Sequence, residues 1–158
     1  MNYKTIVASV VLITLSGCDW FSSSAQKTTP KFYLVNVLSK ELFNDAHIEH
    51  SINAPFEQLL THAEKWDKKV PVVLYCSNYL CTASKEGVSM LKEKGFESVR
   101  AYEGGTAEWY QLSKKDPEYR IVGPAQQKYL VMEIEPVVDG VPSIHAAELK
   151  DLIKQATL

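Results

Sequence analysis

Apolar residues along this chain come in two rhythms. Phe32-Tyr33-Leu34-Val35-Asn36-Val37-Leu38 and Val70-Pro71-Val72-Val73-Leu74-Tyr75 are short, nearly unbroken runs, the pattern of strands covered on both faces. Ser98 to Tyr102 reads as a third strand. Between them the spacing lengthens to that of helices: Phe56, Leu59, Leu60 and Ala63 within Phe56 to Trp66, and Ala83, Gly87, Met90 and Leu91 within Thr82 to Lys94. Gly95 supplies a helix stop, and Gly104-Gly105 a turn into a helix through Trp109. Strands alternating with helices predict an α/β domain of three layers, a mainly parallel central sheet flanked by helices. Beyond Asp116-Pro117 the pattern changes. Tyr129 to Ile134 is expected as a strand, and Ser143 as the cap of a helix with Leu149, Leu152 and Ile153 on its apolar face. This short C-terminal extension, 116–158, is expected to pack on the α/β body, 31–115.

The first residues carry a different signal. Lys4 precedes the apolar run Thr5 to Leu15, which ends in Leu15-Ser16-Gly17-Cys18. A positive start, a short apolar core and small closing residues describe an export signal. The run falls well short of the roughly 20 residues that span a bilayer. Leu15-Ser16-Gly17-Cys18 resembles the lipobox of bacterial lipoproteins. That resemblance implies that 1–17 is removed and that Cys18 carries the lipid, palmitate included, on a membrane-anchored chain. Residues 18–30, rich in Ser and Thr after Phe21, then form a flexible tether. Asp19 directly after the lipidated position implies retention in the inner membrane, facing the periplasm. Export places the domain in an oxidising compartment.

Composition narrows the functional classes. The chain is 46% hydrophobic and 23% charged, as in ordinary globular domains, which excludes a wholly disordered chain and a multi-span membrane protein. A net charge of −2 offers no basic field for nucleic acid. Three cysteines are too few for a disulfide scaffold.

The candidate chemistry lies after the strongest strand, in Cys76-Ser77-Asn78-Tyr79-Leu80-Cys81-Thr82. Ligands in open α/β sheets bind beyond the carboxyl ends of strands. Backbone N–H groups at the following helix start favour a thiolate, so Cys76 is expected to have the lowered pKa and to react faster than Cys81, which lies nearer the packed helix. A buried structural cysteine is the competing reading for each thiol. His47 and His50 with Cys76 and Cys81 lack the spacing of a recognised zinc site, so no metal is expected, and no motif calls for a cofactor. Trp109 and Tyr102 read as core aromatics.

Five segments in order complete the pattern: Leu34-Val35-Asn36-Val37, His47-Ile48-Glu49-His50-Ser51-Ile52-Asn53-Ala54-Pro55, Val72-Val73-Leu74-Tyr75-Cys76, Gly95-Phe96-Glu97-Ser98-Val99, and Glu103-Gly104-Gly105-Thr106-Ala107-Glu108-Trp109. Together, over about Lys31 to Leu112, they resemble the rhodanese-like family. The resemblance implies a rhodanese fold and a sulfurtransferase in which Cys76 accepts sulfur as a persulfide from a small donor. An acceptor thiol, small or on a protein, then removes it. Ser77, Asn78, Tyr79, Leu80 and Thr82 would form the substrate-binding loop, with N–H groups that stabilise the thiolate. Where relatives often carry an acidic and a basic residue at the end of the first strand, this chain has Asn36 and Leu38. Where many have a loop cation, it has Cys81. Without that cation, efficient use of the thiosulfate oxyanion is not expected. Cys81 also opens two other readings: it resolves a Cys76 persulfide, or the pair is a dithiol/disulfide switch. A catalytically silent binding module is the remaining alternative.

Overall fold

The two long apolar runs lie side by side as parallel strands at the centre of a four-stranded sheet. A computed structural model describes residues 30–132, 135–136 and 140–157. Residues 1–17, Cys18, Asp19 and the tether before Pro30 lie outside the described residues. In chain order the elements are β1 (Tyr33–Asn36), α1 (Lys40–Asp45), β2 (His47–Ile48), β3 (Ile52–Asn53), a 3-10 turn (Phe56–Gln58) running into α2 (Leu59–Ala63), β4 (Val72–Tyr75), α3 (Ala83–Glu93), β5 (Val99–Tyr102), α4 (Gly105–Ser113), β6 (Ile121–Val122), a second 3-10 turn (Lys128–Val131) and α5 (Ala146–Thr157). The sheet runs β3-β1-β4-β5 and every pair is parallel. β2 and β6 form a separate antiparallel pair.

Strand alternation divides the core into two layers. Val35, Val72, Leu74, Val99 and Ala101 face Leu59, Ala63, Val88 and Leu91 of α2 and α3. Leu34, Val73, Tyr75 and Tyr102 face Trp109 of α4 and Leu149 of α5. All four residues of β4 are buried, which explains its unbroken apolar sequence. Burying each such Val or Leu contributes roughly 1.5–3 kcal/mol. This is the three-layer α/β arrangement that the alternation of runs predicts.

Details depart from the sequence reading. The inward face of α3 is Ser84, Gly87, Val88 and Leu91: Gly87 and Leu91 are as expected, and Ser84 and Val88 stand where Ala83 and Met90 were expected. Gly87 allows this approach: a Cβ there would lie 2.7 Å from Leu74 Cδ1. The expected helix through Trp66 ends at Ala63, and Trp66 instead stacks on Tyr33 with ring centroids 5.2 Å apart. Tyr129 to Val131 is not a strand but part of a 3-10 turn, in which Tyr129 O accepts from Met132 N and Leu130 O is met by a side chain of α4 instead of a ladder. Gln111 Nε2 of α4 donates to Leu130 O at 3.1 Å and to Met132 O at 3.0 Å. Ile134 lies outside the described residues. Ser143 does not cap α5; it forms a parallel bridge with Ala101 at the edge of β5. The pairing of β2 with β6 was not foreseen either. Ile144, Ala146 and Leu149 are buried against the second layer, so the C-terminal segment contributes to the core. Among the described residues, no helix is long and apolar enough to cross a membrane.

Candidate active site at the cysteine loop

β4 delivers Cys76 to the carboxyl edge of the sheet, and α4 fixes it there. Thr106 N donates to Cys76 O at 3.0 Å and Ala107 N to Ser77 O at 2.9 Å, so the first turn of α4 is bonded to the loop. Thr106 Oγ1 also donates to Cys76 O, at 3.2 Å. This close approach requires glycine at 105, where φ is +61° and a Cβ would lie 2.5 Å from Cys76 O. Within the loop, Asn78 makes the turn: its Oδ1 accepts from Leu80 N at 3.1 Å and its carbonyl from Cys81 N at 3.0 Å. Asn78 is buried, Ser77, Tyr79 and Cys81 are partly exposed, and Leu80 and Thr82 face solvent. Behind the loop, Asn36 closes the end of β1, its Oδ1 accepting from Leu38 N at 2.9 Å. Its Nδ2 is buried without a hydrogen-bond partner.

The two loop thiols are both free, and the Cys76 sulfur reaches the backbone of Cys81. Cys76 is wholly buried. Its Sγ donates to Cys81 O at 3.3 Å and lies 3.4 Å from Ser84 Oγ. The hydrogen bond to Cys81 and then burial push the Cys76 thiol up, toward the neutral form. Cys81 is the other half of this pair. It accepts from the Cys76 thiol first, and from backbone N–H groups of Ser77 and Ala83, and its pKa falls to about 5. The expectation that Cys76 carries the lowered pKa is therefore reversed. The cause is local: Cys76 sits under the loop, where only neutral sulfur is well solvated, and the loop N–H groups reach Cys81.

A cleft of about 160 Å³ opens beside the loop, bounded by Asn78, Tyr79, Ala107, Glu108, Gln111 and Met132. Among the described residues that line it are an acidic group and no basic one. Glu108 is fixed by two phenols, Tyr79 Oη at 3.0 Å and Tyr102 Oη at 2.7 Å. Burial and then the Glu108 charge hold both phenols above the usual tyrosine range. Lys85, three residues past the loop, is paired with Glu103 at 3.8 Å. A larger cavity, about 540 Å³, is lined by residues such as His50, Arg120 and Lys154 and by no residue of the Cys76–Thr82 loop, so its size gives it no claim on this chemistry. His47 Nδ1 donates to Phe43 O at 2.8 Å and its ring stacks on Phe43, which accounts for it structurally. Among the described residues, no three His, Cys, Asp or Glu side chains are grouped as a metal requires.

Sequence reasoning singled out the loop but missed its partners. Ser84 reads as an ordinary helix residue, although it lies one turn after Cys81. Thr106 and Glu108 were legible only as part of a segment. Tyr129, in the second 3-10 turn, carried no signal at all. Its hydroxyl is enclosed without a well-formed hydrogen bond, and burial pushes its pKa up to about 12. Cys76 and Cys81 add to that shift by their charge.

Comparison with known proteins agrees with this architecture. The family described as Rhodanese-like domain matches residues 18–112. The thiosulfate sulfurtransferase GlpE of Coxiella burnetii is 29% identical over 76 residues, which is 48% of this chain and 69% of that protein. A crystal structure of the Alr3790 protein from Anabaena sp. superposes with a TM-score of 0.52 at 25% identity, covering 60% of this chain and 69% of that one. The solution structure of the rhodanese-like domain of Alr3790 gives 0.52 at 23% identity, over 73% and 83% of the respective chains, a likeness of fold.

Proposed function

The chain belongs to the rhodanese-like domain family, and from that premise we propose that it is a sulfurtransferase carrying sulfane sulfur as a persulfide on Cys76. The observation that carries this reading is the position of Cys76. It ends the central strand, its carbonyl is bound by the first turn of α4, and its sulfur lies against Ser84 Oγ under a polar loop. Such a site shields a reactive persulfide from solvent, and covalent capture divides one hard transfer into two easier ones. The similarity to proteins named thiosulfate sulfurtransferase supports the reaction class. It does not extend to the donor, because the cleft beside the loop has Glu108 and no cation to hold an oxyanion.

A second reading has its own observation. Two free thiols on one short loop, with the Cys76 sulfur 3.3 Å from Cys81 O, are also the starting point of a dithiol/disulfide switch between Cys76 and Cys81. Turnover separates the two. With a persulfide donor and cyanide as acceptor, the sulfurtransferase releases thiocyanate continuously, and Cys76→Ser lowers that release sharply because a hydroxyl forms no persulfide at the buried position. Thiocyanate release unaffected by Cys76→Ser would remove Cys76 from the role.

The N-terminal signal extends the proposal to place. A lipid on Cys18 would anchor the domain at the periplasmic face of the inner membrane, with the tether up to residue 30 spacing it from the surface. Fatty-acid labelling of the wild type that disappears in Cys18→Ala is the expected result; equal labelling of the variant would contradict it.

A further inference from the structure

The two thiols differ in what they can meet. Cys76 has 0% of its surface exposed and lies beneath the loop, its sulfur against Cys81 O and Ser84 Oγ. Cys81 is partly exposed, and it follows Leu80, which is 65% exposed at the outer edge of the loop. A donor arriving from solvent therefore reaches the sulfur of Cys81 before that of Cys76. The Cys81 pKa is lowered, first by the neighbouring Cys76 thiol and then by the N–H groups of Ser77 and Ala83, which favours a thiolate at the less buried of the two positions. The cleft on the Asn78–Tyr79 side of the loop, lined among the described residues by Glu108 and by no cation, disfavours a sulfonate-type donor and admits one whose reacting end carries no oxyanion.

We propose that Cys81 is the thiol that takes sulfur from an organic persulfide, R–S–SH, and that it passes the outer sulfur inward to Cys76. This rests on the sulfurtransferase reading and reverses the direction in which a resolving thiol would act. In the first step the Cys81 thiolate attacks the outer sulfur of the donor. A bond forms between Cys81 and that sulfur, the donor's S–S bond breaks, and its electron pair leaves on R–S⁻, which takes a proton from water. In the second step the Cys76 sulfur attacks the outer sulfur of Cys81–S–SH. The new Cys76–sulfur bond forms as the Cys81–sulfur bond breaks, and the Cys76 proton moves to the departing Cys81 sulfur along the contact between them. The products are Cys76–S–SH and Cys81–SH, with no net oxidation. Loss of the Cys81 proton to solvent restores the starting thiolate. The exposed thiol collects, and the buried one stores.

The experiment exposes the reduced full chain to fresh cysteine persulfide, quenches it with iodoacetamide at short intervals, and locates the added sulfur by peptide fragmentation. Sulfur is expected on Cys81 at the earliest times and on Cys76 later. Cys81→Ser, with Cys81→Ala as a second variant and folding checked by circular dichroism, should load Cys76 roughly tenfold or more slowly, since the buried thiol must then meet the donor directly. Cys76→Ser should retain the sulfur on Cys81 and pass none on. Earliest sulfur on Cys76, with both Cys81 variants loading as fast as wild type, overturns the relay and leaves the sulfurtransferase reading intact. No sulfur on either residue of the folded wild type overturns the sulfurtransferase reading and the relay with it.

Discussion

At the residue scale, the order of the two thiols follows from where each can place a charge. A buried sulfur bonded to a carbonyl keeps its proton, and a partly exposed sulfur near N–H groups and a neighbouring thiol loses its own more readily. Because the Cys81 pKa is about 5, its alkylation should be nearly constant from about pH 6.5 upward and decline as pH falls through 5. Peptide mapping after brief iodoacetamide treatment measures this, and a Cys81 rate that keeps rising to pH 9 would contradict it. The linkage to stability has a definite sign. A folded-state pKa below the unfolded value means the unfolded chain binds the extra proton, so the contribution of Cys81 is present above the ordinary thiol pKa and is lost as pH falls through about 5. For Cys76, held above the ordinary thiol range, the contribution runs the other way and declines once pH rises past the unfolded value.

At the scale of elements, the site is a joint between the end of β4 and the start of α4. Glycine at 105 makes that joint, since φ of +61° and a Cβ 2.5 Å from Cys76 O exclude a side chain. Gly105→Ala should destabilise the fold by roughly 1–3 kcal/mol and reduce sulfur transfer, because relief of the clash displaces the Cys76 carbonyl. Urea unfolding reads the first effect; an unchanged midpoint would show that the joint is not tight. This contact also marks what the sequence could reveal. β1, β4, β5 and their helices were legible because unbroken apolar runs and helical spacing are local patterns. β6 was not, because two residues carry no period, and its partner His47–Ile48 is remote in the chain. Tyr129 to Val131 misled because apolar content alone does not distinguish a strand from a turn held by the Gln111 side chain. The loop was legible from Cys76 and Cys81. The direction of the hydrogen bond between them was not, since it depends on the path of Asn78 and on Ser84 turning inward.

At the scale of the whole molecule, two layers of core hold one reactive edge. Residues 144–149 close the second layer, which makes the C-terminal segment part of the body that supports β4 and α4. The ion pairs of Lys150 with Asp116 and of Lys154 with Glu118, both at 2.8 Å, join α5 to the loop after α4 at the surface, where screening keeps their contribution small. The core instead carries the load through Leu149 and Trp109, both buried. What the whole chain is proposed to do is hold one sulfur atom on Cys76, shielded by this packing. Intact mass of the reduced, folded protein tests that most directly, before and after one equivalent of an organic persulfide and removal of excess donor. The account predicts a gain of one sulfur atom that is lost on treatment with a thiol and that peptide fragmentation places on Cys76. Loss of two hydrogens with no sulfur retained, marking a Cys76–Cys81 disulfide as the end product, would contradict it.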